Sequence, residues 1–147
     1  MRYNEQKGNL FELDKKYALA HCISLDCAMG AGIAVEFNKR FRGMKNECMR
    51  HVDKYELSFP NIFMFEGNNG QIVFNLITKK VYYGKPTYQT ITECIKMMKE
   101  HCQHYNIKYL AIPKIGCGLD RLQWGKVREI IKEEFRDLDI EIEVRYL

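Results

Sequence analysis

Two short stretches have the residue types and spacing to do chemistry on an anion. One is Met29-Gly30-Ala31-Gly32-Ile33-Ala34; the other is Ile115-Gly116-Cys117-Gly118-Leu119-Asp120. Each separates an apolar run from a helical pattern, where glycine weakens both neighbours. A reason to accept that weakness is close approach. The N–H groups of a glycine loop can converge on an oxyanion, and the helix N-terminus that follows adds partial positive charge. A single loop of this kind often does no more than end a strand. Two of them in 147 residues suggest a double grip on a diphosphate. The chain has no GxxxxGK[ST] and no GxGxxG after its first strand, which argues against a P-loop nucleotidase and a dinucleotide dehydrogenase.

Other reactive residue types carry less. In His101-Cys102-Gln103-His104 the two histidines stand three apart, but Cys102 falls on the inward stripe of a helix and no second ligand cluster exists, so no metal is expected. Cys117 has no histidine near it in sequence, which leaves the backbone as the expected actor there. His21, Cys22 and Trp124 read as packed residues. The six cysteines form no CxxC pair and read as small buried hydrophobes of a reducing compartment rather than a disulfide framework.

The elements that must position these loops alternate between strand and helix patterns. Tyr17 to Ile23 is a short apolar run, read as a buried strand. A helix follows from Gly32 to Phe41, with Ile33, Phe37 and Phe41 at steps of four, and a second covers Lys45 to Lys54. Asn61 to Phe65 and Gln71 to Ile77 read as strands joined by Asn68-Asn69-Gly70, a tight-turn signal that predicts a hairpin. Thr87 is set to cap a long helix whose face carries Tyr88, Ile91, Ile95, Met98, Cys102 and Tyr105. Lys108 to Ile112 is a strand. Gln123 to Arg136 is a helix with Trp124, Val127, Ile131 and Phe135 inward. Ile140 to Tyr146 alternates apolar and charged residues and predicts a half-exposed edge strand. The alternation predicts an α/β layered fold with a largely parallel sheet, made mixed by the hairpin. Ligands of such sheets bind at the carboxyl ends of the strands, where both glycine loops fall.

With 147 residues, 46% hydrophobic and 29% charged, and without linker, repeat or low-complexity tract, the chain reads as one domain, residues 1–147. No apolar run is long enough to span a membrane and the N-terminus lacks a signal-peptide core, so a cytoplasmic protein without a membrane partner is expected. A net charge of +4 suits an anionic ligand without by itself arguing for nucleic acid. The basic cluster Lys39 to Lys45 reads first as a solvated helix end.

The segments Gly8-Asn9-Leu10-Phe11, Ala20-His21-Cys22-Ile23-Ser24, Gly30-Ala31-Gly32-Ile33-Ala34, Leu76-Ile77-Thr78-Lys79-Lys80, Lys85-Pro86-Thr87-Tyr88 and Pro113 through Trp124 resemble the macrodomain superfamily. More narrowly, they resemble its terminal ADP-ribose protein glycohydrolase branch, which is related to DNA ADP-ribosyl glycohydrolase antitoxins. The resemblance spans nearly the whole chain in order. It implies a three-layer α/β/α macrodomain with a mixed, mostly parallel six-stranded sheet that binds ADP-ribose at its crest. It implies hydrolysis of the bond from the terminal ribose C1″ to a modified, acidic side chain. In the family a lysine attacks C1″ and an aspartate assists proton transfer; here those roles fall on Lys79 and Asp120. The resemblance also implies binding roles. Leu10 and Leu147 would border adenine, and Ser24 and Met29 through Ala34 would form the first loop. Lys114, Ile115, Gly116, Cys117, Gly118 and Leu119 would form the second phosphate loop. Asn9 stands where the family tends to have Asp, and can accept the adenine amino hydrogen bond without charge assistance.

Amine attack on a masked sugar aldehyde is Schiff-base-type chemistry. It needs a neutral amine, and so a pKa brought from about 10.4 toward roughly 7–8, for which partial burial and the neighbouring Lys80 would serve. Read without the resemblance, Lys79 is sooner a strand end at the surface and Asp120 a helix cap. Ser24-Leu25-Asp26-Cys27-Ala28-Met29 lacks the paired asparagines of another macrodomain hydrolase class. The expectation is therefore a monomeric hydrolase with no cofactor, acting on ADP-ribosylated protein. Removal of ADP-ribose from DNA bases, deacylation of O-acyl-ADP-ribose and a pure ADP-ribose reader are the alternatives; a reader has no use for Lys79.

Overall fold

The computed structural model describes residues 1–118 and 120–147. Among the described residues there are six strands: β1 Arg2–Lys7, β2 Ala18–Ser24, β3 Asn61–Glu66, β4 Ile72–Lys79, β5 Tyr109–Ile112 and β6 Glu141–Tyr146. They form one sheet in the order β1-β6-β5-β2-β4-β3. Every neighbouring pair is parallel except β3–β4, the expected hairpin, in which Gly70 turns the chain at φ +82°. The helices are α1 Ile33–Arg40, α2 Met44–Lys54, α3 Tyr88–His104 and α4 Trp124–Phe135, with a single 3₁₀ turn at Leu10–Glu12.

Strand alternation sorts the apolar residues into two cores. Ala18, Ala20, Ile62, Phe74, Leu76, Leu110, Ile112, Ile142 and Val144 face α3 and α4. Leu19, Ile23, Phe63, Phe65, Val73, Ile77 and Ala111 face α1, α2 and the Leu10 turn. A sheet with helices on both faces is the three-layer α/β/α arrangement, and strands apolar on both sides are what such burial requires. α3 starts where Thr87 and Thr90 cap each other's backbone in a capping box. Its buried stripe is Ile91, Cys94, Ile95, Met98 and Cys102; Tyr105, expected inward, caps the C-terminus and is exposed.

Two expectations need correcting. Ile140 to Tyr146 was expected at an edge, but β6 lies between β1 and β5. The edge on that side is β1, whose sequence Arg-Tyr-Asn-Glu-Gln-Lys carries no apolar alternation and is a strand because its backbone pairs with β6. Ile33 was expected on the inward stripe with Phe37 and Phe41. Those two are buried, while Ile33 is exposed and faces a cavity. No helix among the described residues is long and apolar enough to cross a membrane.

Candidate active site

Parallel strands β2, β4 and β5 end at Ser24, Lys79 and Ile112, and the loops leaving those ends enclose a cavity of about 780 Å³. That volume suits a small-molecule ligand. Both glycine loops line it, and so do Lys79 and Asp120.

Lys79 closes β4. Its Nζ lies 2.6 Å from Asp120 Oδ1, and each side chain is only 13% exposed. Exposed ion pairs are weak, but this one is largely withdrawn from solvent, where the attraction is less screened. Asp120 does not cap α4; the cap position is Gln123, which makes no side-chain bond there. The charged partner of the amine is thus a carboxylate across the cavity, whereas Lys80 is exposed beyond the strand. The pair gives an amine beside a proton acceptor, which is what a nitrogen nucleophile needs in order to shed its proton.

The first loop is held at its start by Asp26. Its carboxylate accepts from Ser24 Oγ, from the Ala28 N–H at 3.2 Å and from the Tyr82 N–H at 3.0 Å. Burial acts to raise the Asp26 pKa, but these hydrogen bonds outweigh it and hold the carboxyl below its usual range. Cys27 and Met29 point into the core beneath the loop. Gly32 then opens α1 at φ 61°, ψ −151°, a conformation essentially reserved for glycine, with no side-chain cap on the helix. The N–H groups of Ile33 and Ala34 therefore have no side-chain cap at the cavity wall, while that of Val35 donates to Gly32 O.

The two glycines of the second loop have different reasons. Gly116 sits at φ +75°, and a Cβ there would stand 2.7 Å from Ile91 Cδ1 and 3.1 Å from Leu122 Cδ1. Its left-handed backbone and this packing already call for glycine without a ligand. A Cβ on Gly118 would meet nothing within 4 Å, as would one on Gly30, so those two keep cavity space open. The loop is braced internally by Cys117 N–H to Lys114 O and Leu122 N–H to Gly116 O. Burial pushes the Cys117 thiol up to about 11, which does not suit a nucleophile.

Of the residues expected to bind ligand, Ser24, Gly30, Ala31, Gly32, Ile33, Ala34, Lys114, Ile115, Gly116, Cys117 and Gly118 line the cavity. Ser24 is buried and already donates to Asp26. Met29 belongs to the core instead. Asn9, Leu10 and Leu147 lie off the cavity lining. Asn9 Oδ1 accepts from the Phe11 N–H at 3.0 Å, Leu10 is buried, and Leu147 is 94% exposed beyond β6. Leu119 lies outside the described residues. Lys114 Nζ stands 3.8 Å from the Tyr146 ring centroid, which ties the second loop to the end of β6.

Sequence reasoning passed over Tyr82, Tyr83 and Lys85, which line the same cavity from the segment after Lys79. The tyrosines are 64% and 74% exposed, with rings edge to face at 5.1 Å. The available signal was two adjacent aromatics beside a glycine, three and four residues after the candidate nucleophile.

The family model of the Macro domain matches residues 21–131. The human ADP-ribose glycohydrolase OARD1 is 43% identical over 138 residues, covering 94% of this chain and 87% of that protein. A DNA ADP-ribosyl glycohydrolase of Thermus aquaticus is 24% identical over 136 residues, covering 90% of this chain and 38% of that protein. The macrodomain of Thermus aquaticus DarG superposes with a TM-score of 0.88 at 23% identity, covering 99% of this chain and 98% of that chain. Thermosipho africanus DarTG in complex with ADP-ribose superposes at 0.85 and 20% identity, covering 98% of this chain and 41% of that chain. The chain belongs to the Macro domain family.

Proposed function

We propose that this protein is an ADP-ribosyl glycohydrolase that binds ADP-ribose in the cavity and releases it from acidic side chains of proteins, with Lys79 as nucleophile. The observation that carries the reading is the Lys79–Asp120 pair, set between two glycine loops on one cavity. The kinship with OARD1, a protein named for ADP-ribose glycohydrolase activity, supports the reaction class.

In this reading the diphosphate sits between the uncapped start of α1 and the Lys114–Gly118 turn, which leaves the distal ribose beside Lys79. The amine passes its proton to Asp120, and its lone pair attacks C1″. The bond from C1″ to the acceptor oxygen breaks, and the carboxylate departs with the electron pair. The protonated Asp120 then assists opening of the sugar to a Schiff base, and water hydrolyses that link to give free ADP-ribose and the amine.

A second acceptor class is favoured by one observation. Tyr82 and Tyr83 form an exposed aromatic corner of the cavity, and flat aromatic surfaces of this kind stack unpaired bases. Relatives named DNA ADP-ribosyl glycohydrolase lend it weight. The deciding experiment measures free ADP-ribose released from glutamate-linked protein and from thymidine-linked DNA. Preference for the protein substrate supports the first reading; preference for DNA selects the second. With either substrate, Lys79→Ala is expected to lower release by about 10³-fold or more while ADP-ribose still binds. Borohydride should trap an adduct on Lys79. Normal turnover by Lys79→Ala would end the lysine mechanism.

A further inference from the structure

Cys27 and Cys48 make a contact that the proposed chemistry does not use. Their Sγ atoms are 3.1 Å apart, closer than unbonded sulfurs ordinarily rest, although the two residues lie 21 apart in sequence. Both are free thiols, and both are buried. Cys27 belongs to the first glycine loop, between Asp26, which holds that loop to Tyr82, and Ala28, which lines the cavity. It sits at φ 59°, an uncommon backbone for a residue other than glycine, asparagine or aspartate. Cys48 lies on the inward face of α2, beside Met44. The pair therefore joins the ligand loop to a helix that takes no part in the site.

We propose that Cys27 and Cys48 are an oxidation site for a hydroperoxide, and that the disulfide they form weakens the first loop's grip on its ligand. The Cys27 sulfur attacks the peroxide, an S–O bond forms, the O–O bond breaks, and the departing oxygen leaves as an alcohol or water. The Cys48 sulfur then attacks the sulfenic sulfur of Cys27, the S–S bond forms, the S–O bond breaks, and water leaves. Two electrons pass from the two thiols to the peroxide, and both thiol protons end in the products.

A disulfide needs its sulfurs about 2.05 Å apart. Closing the present gap draws Cys27 toward α2, and with it Ala28 and Gly30 away from the opposite loop. Both sulfurs are buried beneath the first loop, so the oxidant reaches them when that loop opens. Bound ligand, by holding the loop shut, slows the oxidation. The coupling to ligand rests on the reading that the cavity binds ADP-ribose; the disulfide does not.

The test treats the full chain with hydrogen peroxide, with and without ADP-ribose, and reads peptide masses, thiols titrated after denaturation, and ADP-ribose affinity. A linked Cys27–Cys48 peptide is expected, with titratable thiols falling from the six of the sequence to four. The Kd for ADP-ribose is expected to rise about fivefold or more and to recover with dithiothreitol. ADP-ribose should slow formation of the bridge. Cys48→Ser, or Cys48→Ala should that variant fold better, is expected to keep its affinity through the same treatment. Bridges elsewhere, or both residues still reduced while other thiols oxidise, overturn the site. A bridge with unchanged affinity overturns the coupling. A reduced protein that binds no ADP-ribose refutes the proposed function and the coupling together. One that binds ADP-ribose but forms no bridge refutes the oxidation site alone.

Discussion

Lys79 and Asp120 stand 41 residues apart in the chain and 2.6 Å apart in space. Neither residue type announces such a pair, since a lysine at a strand end and an aspartate before a helix are both ordinary. The resemblance singled them out; their meeting depends on β4 and the second loop ending at the same edge of the sheet. If Asp120 takes and returns the proton, Asp120→Asn should cut turnover by about 10²–10⁴-fold, with ADP-ribose affinity changed much less. Single-turnover release set beside calorimetric binding checks this, and equal losses in both would make Asp120 a binding residue. Lys79→Arg should be as inactive as Lys79→Ala, because guanidinium does not deprotonate in a protein. The glycines were legible as loop markers, but their reasons were not. Whether Gly116 serves a ligand or a neighbour depends on where Ile91 of α3 comes to rest.

At the level of elements, the interior strands and the four helices were readable, because burial on one stripe leaves a period in the sequence and burial on both faces an apolar run. β1 was not, because it is held by its backbone pairing with β6 and its residues are exposed or half-buried. Gly116→Ala must hold a left-handed backbone and press on Ile91, and should destabilise the fold by about 2–3 kcal/mol in chemical denaturation. Thr87→Ala removes the capping box of α3 and should cost about 1 kcal/mol by the same measurement, without altering ADP-ribose affinity. The segment from Lys80 to Lys85 was legible only as a loop. That its two tyrosines face the cavity follows from the hydrogen bond of Tyr82 N–H to Asp26, a residue 56 positions earlier.

Over the whole molecule, two polar residues outside the candidate site make stability depend on pH. His21 is wholly buried, stacked on Phe37 at 3.9 Å, with Nε2 2.6 Å from Asn75 Oδ1. Asn75 donates its own N–H to Phe63 O, so its oxygen faces the ring and Nε2 carries the proton. Burial, partly offset by the Asn75 bond, lowers the His21 pKa to about 4. The unfolded imidazole takes a proton near 6.5 and the native one only near 4. The stability is therefore fully present above about pH 6.5 and declines as pH falls, by about 3 kcal/mol once pH is below 4. Glu5 continues the trend. Burial acts to raise its pKa, but bonds from Arg128, Tyr3 and Trp124 bring it from 4.5 to about 2, so its contribution is lost between those values as pH falls. Urea melts from pH 8 to 3 should show the slope beginning near 6.5, and His21→Gln should flatten the upper part of it. A constant stability from pH 7 to 4 would contradict the His21 assignment. The sequence by itself determined the layered α/β class, most elements and two loops bare enough to approach an anion, because periodicity and glycine are local properties. Only the tertiary structure decided which ends of which strands share one edge, which glycine faces a ligand and which a neighbour, and that an amine and a carboxylate meet across the cavity. Those depend on strand order and parallel register, which arise from contacts between residues far apart in the chain.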